Sequence, residues 1–289
     1  MNLTITDDER HLAREAAAAV ATGAEPPATA SFTESCIVAR EAGRVAPDRR
    51  YVLQAWARLL GWQGDSDVTV ALDPAGDRAD HVPRAAAVAT LVVADRSGWV
   101  AERDLRSVTR HPQPTIDDPD ASAVVFGPGD LRDRRPHDVA ATLPLALVLL
   151  AADCTGAASA ALDATVAHVR ERALFGGVVA DLQVVRHRCA DMATAVTRCW
   201  DLVLDAAATV DRGDDPAAIA LRAAQAKVLV ADHARRVTED ALRTAGGRGI
   251  LAAEPWSRWY RRVKGAEPML GSARVHRAAV ARASLARWR

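Results

Sequence analysis

The sequence is poor in aromatic residues and shows no excess of charge of either sign. Aromatic residues make up 4% of the chain, and 37 basic side chains are matched by 37 acidic ones. A chain with a formal net charge of zero has no global field that would attract nucleic acid or an anionic membrane. We therefore expect neither of these as a partner.

Cysteine is also scarce, which excludes a second class of protein. Cys36, Cys154, Cys189 and Cys199 form no C-x-x-C pair, so we expect neither a disulfide scaffold nor a zinc site. We interpret the four as reduced thiols, mostly buried, in a cytoplasmic protein. The first residues are acidic and amphipathic, where a secretory signal would be basic and then apolar. No export is therefore expected.

Long hydrophobic runs are missing as well. The longest uncharged run, at 139–152, contains Pro144 and ends before Asp153. A membrane-spanning helix needs about 20 apolar residues, so we predict a buried core helix at this place. With 49% apolar residues, the chain can bury a sizeable core.

The hydrophobic pattern divides the chain into three segments, which we predict as domains at 1–47, 48–137 and 138–289. The first is helical, with Ser31 and Thr33 as candidate N-caps. The second contains short, Val-rich runs separated by Asp, Gly and Pro. These runs predict a small, reduced β domain.

The third segment has the period of long amphipathic helices. Apolar residues recur every three or four positions over 182–207. Asp215 before a proline predicts the start of a further long helix, and a later glycine pair predicts its end. With a long helix at 138–172 and two short helices at the C-terminus, the sequence predicts a mainly α protein whose last segment is a four-helix bundle.

One turn in this segment carries more side chains than a turn requires. The stretch RERALFGGVVADLQ holds Arg172 and Phe175, with Gln183 at its end. A guanidinium offers a planar pair of donors to a pyrophosphate, and a phenyl face can lie against an adenine or a ribose. In the loop RTAGGRGI, Gly246 and Gly247 leave the backbone amides accessible to a phosphate. An ordinary helix end, with an arginine near the helix dipole, would explain Arg172 as well.

These motifs, in this order, resemble the acyl-CoA dehydrogenase family from residue 138 to the end. Members of this family of flavoproteins carry an R-x-x-F-G turn, a following glutamine, a Q-x-x-G-G-x-G loop and a terminal E-G-T segment, which here reads LGS. The resemblance implies the acyl-CoA dehydrogenase fold, an FAD cofactor and an oligomer in which these groups serve the FAD of a neighbouring subunit. The cofactor-binding residues that it implies are Arg172, Phe175, Gln183, Gly246, Gly247 and Ser272.

The main departure from the family concerns the catalytic base. Leu270 occupies the position of the family's usual glutamate, and Ala146 occupies the position that carries it in a minority of members. Neither side chain can take a proton. Asp153 and Glu267 are the alternatives for a displaced base, although such acids commonly serve as solvated or paired residues.

The middle segment departs as well. The family's T-E-P-x-x-G-S-D segment, which covers the flavin ring and helps to hold the thioester, has only a weak echo at 72–80. Arg262 and Arg243 replace an aspartate and a glutamine of the family motifs. We therefore predict a subunit of a heteromeric FAD-dependent acyl-CoA dehydrogenase of lipid or steroid degradation. A catalytic partner subunit would supply the base and hold most of the acyl-CoA, in a heterotetramer that catalyses α,β-dehydrogenation.

Two other functions stay open at this point. Flavin-dependent N-hydroxylases and other biosynthetic enzymes on this fold need no glutamate, and a scaffold protein could keep the bundle without flavin. We interpret His233, in an apolar stripe, as a hydrogen-bonded core histidine. The run at 256–265 mixes aromatic residues and cations as a nucleic-acid surface does, but its place among the motifs favours a structural helix at a subunit interface.

Overall fold

The computed structural model describes residues 6–22, 24, 26–64, 67–127, 130–131, 133–251 and 253–286. The helices in these ranges are α1 (Asp7–Thr22), α2 (Phe32–Val45), α3 (Arg50–Leu59), α4 (Val139–Glu171), α5 (Gln183–Asp211), α6 (Pro216–Ala245), α7 (Trp256–Ala266) and α8 (Ala273–Ala286). The strands are β1 (Val68–Leu72), β2 (Arg78–Val82), β3 (Thr90–Asp95), β4 (Trp99–Asp104), β5 (Thr109–Pro112), β6 (Ser122–Val125), β7 (Arg135–Pro136), β8 (Ala173–Leu174) and β9 (Gly177–Val178). The prediction of a mainly α protein with a small β region is confirmed.

The chain divides into two compact units. One is Asp48–Ala146, and the other is discontinuous, with Met1–Pro47 and Leu147–Arg289. In the discontinuous unit α1 packs on α2, α2 packs on α5, and α5 and α6 pack along each other. The N-terminal helices therefore share one compact unit with the C-terminal helices.

The unit Asp48–Ala146 is built on two small sheets. The first has the strand order β1-β3-β4-β7, with β1 parallel to β3, and the second has the antiparallel order β2-β6-β5. Strands β1, β2, β3, β4 and β6 contribute buried residues to a shared core, which includes Val82, Leu91, Val93 and Val124, whereas all four residues of β5 are exposed. Each sheet therefore hides one face against the other, as a two-layer β unit requires.

Helix α4 is the core helix predicted from the uncharged run. Among the described residues it is the one helix that is long and apolar enough to cross a membrane by length and composition. However, 89% of its most apolar window is buried inside the structure. A helix that is apolar all round and covered by protein is a core helix.

Two glycines allow α2 and α4 to cross with their backbones in contact. A Cβ at Gly43 would lie 2.0 Å from Asp153 O, and a Cβ at Gly156 would lie 1.9 Å from Arg40 O. No side chain fits at either position, so glycine is required by close approach. This crossing fixes the place of α2 on the core helix.

Several predicted helix ends are confirmed. Ser31 Oγ accepts a hydrogen bond of 3.1 Å from Glu34 N at the start of α2. Asp215 Oδ2 accepts one of 3.0 Å from Ala217 N at the start of α6, and α6 ends before Gly246, whose φ is +62°. These contacts satisfy backbone groups that a helix end leaves open.

Candidate functional site

A β-hairpin separates α4 from α5, where the sequence suggested a plain turn. Strands β8 and β9 pair antiparallel, and Phe175 and Gly176 form the two-residue loop between them, with φ of +49° and +82°. Positive φ at both positions is typical of a type I′ turn. A phenylalanine rarely adopts this backbone conformation, and such strain tends to occur at functional sites. The loop leaves the Phe175 side chain 95% exposed.

Arg172 and the glycine loop, far apart in sequence, lie next to each other. The loop forms a 3₁₀ helix (Gly246–Ile250) directly after α6. A Cβ at Gly246 would lie 3.4 Å from Arg172 Nη1, so the guanidinium lies over the start of the loop. No carboxylate pairs with Arg172 in the part of the chain that the structure describes. A guanidinium beside accessible backbone amides can bind an anion.

His168 lies one helical turn before Arg172 and is a residue that sequence reasoning missed. Its ring meets the Trp256 ring edge-on, with centroids 5.6 Å apart and planes at 70°. Trp256 Nε1 in turn donates a hydrogen bond of 3.1 Å to Thr165 Oγ1. His168 is 8% exposed, and its Nε2 atom has no hydrogen-bond partner among the described residues.

Charged groups surround His168. Burial lowers its pKa below the ordinary value, and the guanidinium groups of Arg248 and Arg172 lower it further. Glu254 and Glu171 act in the opposite direction. Arg248 Nε donates a hydrogen bond of 2.9 Å to Glu254 Oε1, which holds this second arginine at the glycine loop. Burial and the two arginines therefore favour the neutral form of the imidazole.

The other predicted cofactor residues are not all in this cluster. Gln183 is the first residue of α5 and is exposed on the same segment as the hairpin. Asp181, two residues before α5, does not cap that helix; it accepts a hydrogen bond of 2.9 Å from Val178 N. Leu182 takes the N-cap position without a side-chain bond.

Ser272 lies in a different region from Arg172. Trp256, at the start of α7, bonds to Thr165 near the end of α4, whereas Arg262, further along α7, bonds to Asp153 near the middle of α4. Helix α7 therefore runs antiparallel to α4 and carries the segment at 270–272 away from the hairpin. Ser272 is the last residue of that segment and is exposed, directly before α8.

The positions of the family's glutamate carry no base. Leu270 has a φ of +58°, and its carbonyl accepts a hydrogen bond of 3.0 Å from His276 Nε2. A Cβ at Gly271 would lie 3.0 Å from the same Nε2 atom, so the imidazole packs tightly on this turn. Ala146 is fully buried in the other compact unit.

The two alternative acids are engaged in ion pairs. Arg262 Nε donates to Asp153 Oδ2 at 3.0 Å, and its Nη1 donates to Ala46 O at 2.9 Å. Asp153 is 0% exposed, so its carboxylate is a buried structural group. Glu267 accepts a bond of 2.7 Å from Lys264 Nζ.

The remaining candidates have structural roles. Trp256 and Trp259 are buried, so these two aromatic rings of α7 pack inside the protein and offer no stacking surface to nucleic acid, whereas Tyr260 is partly buried. His233 is only partly buried, and burial together with Arg236 and Arg198 lowers its pKa. None of the four cysteines, all of which the structure describes, forms a disulfide.

The residues that sequence reasoning missed were His168 and Arg248. The histidine precedes Arg172 by four positions, the spacing of neighbours on one helix face, and this spacing was the available signal. Arg248 lies between Gly247 and Gly249 in the sequence, and no sequence pattern distinguishes it from the rest of the loop. Only the meeting of the C-terminal ends of α4 and α6 brings it to His168.

The fold and the site define a mainly helical protein with two arginines and a buried histidine clustered at the end of its core helix and an exposed aromatic hairpin beside them. A family model described as "Acyl-CoA dehydrogenase, C-terminal domain" matches residues 139–285. The chain belongs to the acyl-CoA dehydrogenase family.

Named relatives agree with this assignment. Cyclohex-1-ene-1-carbonyl-CoA dehydrogenase of Geobacter metallireducens is 37% identical over 144 residues, which are 50% of this chain and 37% of that protein. The short-chain specific acyl-CoA dehydrogenase of Bos taurus mitochondria is 31% identical over 140 residues, 48% of this chain and 33% of that protein. The matched region is thus well under half the length of these relatives.

Solved structures extend the likeness to the whole chain. Butyryl-CoA dehydrogenase from Megasphaera elsdenii superposes with a TM-score of 0.80 and 16% identity, covering 99% of this chain and 100% of that one. A structure of PigA with FAD and proline gives a TM-score of 0.79 and 12% identity, with the same coverage. At such identities the likeness shows the fold alone.

Proposed function

We propose that this chain is the non-catalytic subunit of a heteromeric, FAD-dependent acyl-CoA dehydrogenase. The observation that carries the proposal is the position of the Arg172 guanidinium next to Gly246, with the exposed Phe175 on the same hairpin segment. This arrangement offers a binding surface for the pyrophosphate and adenosine of a dinucleotide. We place the complex in the cytoplasm, in lipid or steroid degradation.

The residues present fit such a ligand. Arg172 has no carboxylate partner within the described ranges, so its planar donors are available to a pyrophosphate. A Cβ at Gly247 would meet no atom within 4 Å, so the loop is open where a phosphate would approach the backbone. When bound, FAD supplies the acceptor for a hydride. Arg172 and the loop would hold and orient it.

The base is assigned to a partner subunit. Leu270 and Ala146 cannot take a proton, and Asp153 is held in the interior by Arg262. A partner with an acidic residue would therefore remove the α-proton of an acyl-CoA and hold most of the thioester. The names of the two relatives, which are dehydrogenases of acyl-CoA esters, support this class of substrate.

A second candidate is a flavoenzyme of another reaction class. One structure with this fold contains FAD and proline according to its name, which supports ligands other than acyl-CoA esters on this scaffold. Such an enzyme would need no glutamate at position 270. A scaffold protein that binds no flavin is the third alternative.

Co-expression separates these candidates. The chain is produced alone and with a neighbouring full-length acyl-CoA dehydrogenase gene, and the flavin spectrum and native mass of each product are recorded. We expect a yellow, tetrameric complex only on co-expression. A lone chain that binds flavin and oxidises an acyl-CoA would contradict the proposal, and absence of flavin from both products would favour the scaffold.

Arg172→Ala tests the binding role directly. A charge-assisted hydrogen bond contributes about 1.5–3 kcal/mol, so we expect FAD to dissociate from the complex at least about tenfold more readily. The control is Arg170→Ala, which removes the same charge from an exposed position of the same helix end. Equal flavin content in both variants would remove the role assigned to Arg172.

A further inference from the structure

His168 is an ionisable group within the proposed binding surface, and the function proposed above gives it no role. It lies under the Arg172 end of α4, is 8% exposed and has an Nε2 atom without a partner among the described residues. Edge-on packing against Trp256 holds the ring in place. A buried polar atom without a partner is uncommon and calls for an explanation.

The charges facing His168 come from three segments. Helix α4 contributes Arg172 and Glu171, the 3₁₀ helix contributes Arg248, and the segment before α7 contributes Glu254. Glu254 is already bound by Arg248, so the two guanidinium groups oppose a positive charge on the imidazole. Without an anion, protonation of His168 would place a third cation beside only two acids, one of which already binds Arg248.

An anion at Arg172 reverses this balance. A pyrophosphate seated between the arginine and the glycine loop brings two negative charges close to the imidazole and favours its protonated form. The pyrophosphate of a dinucleotide stays ionised throughout the neutral range, so a proton taken up on binding there must come to the protein. Histidine is the side chain that takes up a proton most readily near neutral pH.

We infer that His168 couples the binding of a pyrophosphate-bearing ligand at Arg172 and the Gly246 loop to the uptake of one proton. The inference rests on the proposed function, in which that ligand is FAD. The chain then holds its ligand more tightly as the pH falls below 7. Arg248, held by Glu254, is the second cation of this site.

The test follows the imidazole itself. Histidine ring resonances of this chain, isotope-labelled within the co-expressed complex, are titrated by NMR with FAD removed and with FAD bound, and His168→Phe identifies the resonance of His168 while keeping a ring against Trp256. We expect FAD to raise the midpoint of His168 by about one pH unit, which corresponds by linkage to a tenfold change in affinity. His187→Gln, which removes an exposed histidine near the start of α5, should leave that shift unchanged.

Affinity provides the second measurement. FAD binding by the co-expressed complex should tighten several-fold from pH 7.5 to pH 5.5, whereas complexes with His168→Phe or His168→Gln should bind FAD with the same affinity at both values. The rate of flavin release from the same complexes is compared over the same pH range.

The outcomes distinguish the two proposals. If FAD binds and Arg172→Ala weakens it, but the midpoint of His168 stays fixed and both His168 variants keep the wild-type pH dependence, this inference is wrong and the proposed function stands. If neither the chain nor the co-expressed complex binds FAD, the proposed function fails, and the inference fails with it.

Discussion

Arg262 departs from the family motif and has a structural role in the interior of the helical unit. The family motif has an aspartate at this position, and no sequence pattern explains the change. In the structure the Arg262 guanidinium bonds to Asp153 on α4 and to Ala46 O after α2. One side chain therefore joins three segments of the helical unit in its interior.

Asp153→Asn should destabilise the protein strongly. The substitution removes the negative charge that faces Arg262 in the interior, and breaking a buried ion pair costs about 3–5 kcal/mol. The free energy of unfolding is measured by urea denaturation. Asp163→Asn is the control, because Asp163 pairs with Arg44 at an exposed position, where a pair contributes at most about 1 kcal/mol. Equal losses in both variants would contradict the role of the buried pair.

At the residue scale, the sequence pointed to Arg172 and Phe175, whose role in binding stays a prediction. Arg172 and Phe175 could be identified because they exceed what a turn needs. The relation of His168 to Arg248 could not be predicted, since it depends on two helix ends meeting in space. The sequence already made Asp153 a doubtful base, because acids in such helices are commonly solvated or paired. It did not show that the partner is Arg262, because that arginine belongs to a motif more than 100 residues away.

At the scale of elements, the crossing of α2 and α4 depends on Gly43 and Gly156. Gly156→Ala places a Cβ 1.9 Å from Arg40 O, which is too close for any contact, so α2 and α4 must separate. We expect a loss of stability of about 1–3 kcal/mol or more. Gly247→Ala is the matched control, because its added Cβ would meet no atom within 4 Å and should change stability by about 0.5 kcal/mol or less. The stability of both variants is measured by urea denaturation. Similar unfolding midpoints for the two would contradict the close crossing.

The β8–β9 hairpin makes a different prediction. Phe175→Ala should leave the stability of the chain unchanged, because the side chain is almost fully exposed, yet it should lower flavin retention in the co-expressed complex. Flavin fluorescence and thermal unfolding measure the two effects. Leu285→Ala, an exposed apolar side chain on α8, should change neither. A Phe175→Ala variant that loses stability but keeps its flavin would show that Phe175 stabilises the fold and does not bind the flavin.

The sequence predicted the long elements better than the short ones. Helices α4, α5 and α6 have enough turns to show their period, and Asp215 marks a helix start by its chemistry. Strands β8 and β9 have two residues each, which is too short for an alternating pattern. For that reason the hairpin was interpreted as a plain turn between helices.

At the scale of the whole molecule, burial controls the chemistry of the thiols. Burial raises the pKa of Cys199 to about 12 and raises that of Cys36 further, whereas Cys189 is only partly buried. Because the thiolate is the reactive form, we expect the native chain to react with a thiol reagent slowly and at Cys189 alone. All four cysteines should react after unfolding. Cys189→Ser should abolish the native reaction, and a rapid reaction of two or more native thiols would contradict this burial.

Which segments share a compact unit could not be predicted from local patterns. Asp211, at the end of α5, accepts hydrogen bonds of 2.7 Å and 3.0 Å from Phe32 N and Thr33 N at the start of α2. A carboxylate at a helix N-terminus is a favourable contact. It joins residues from opposite parts of the sequence, and neither periodicity nor composition marks such a pair.

The exposed hairpin also bears on the entropy of assembly. Phe175 is already held in an unusual backbone conformation by a two-residue loop, so the conformational freedom of that backbone is lost when the chain folds. A partner or a ligand that covers the ring has only side-chain rotation left to restrict. Preorganisation of this kind lowers the cost of association. The strained turn thus transfers part of the ordering cost of the complex to the folding of the single subunit.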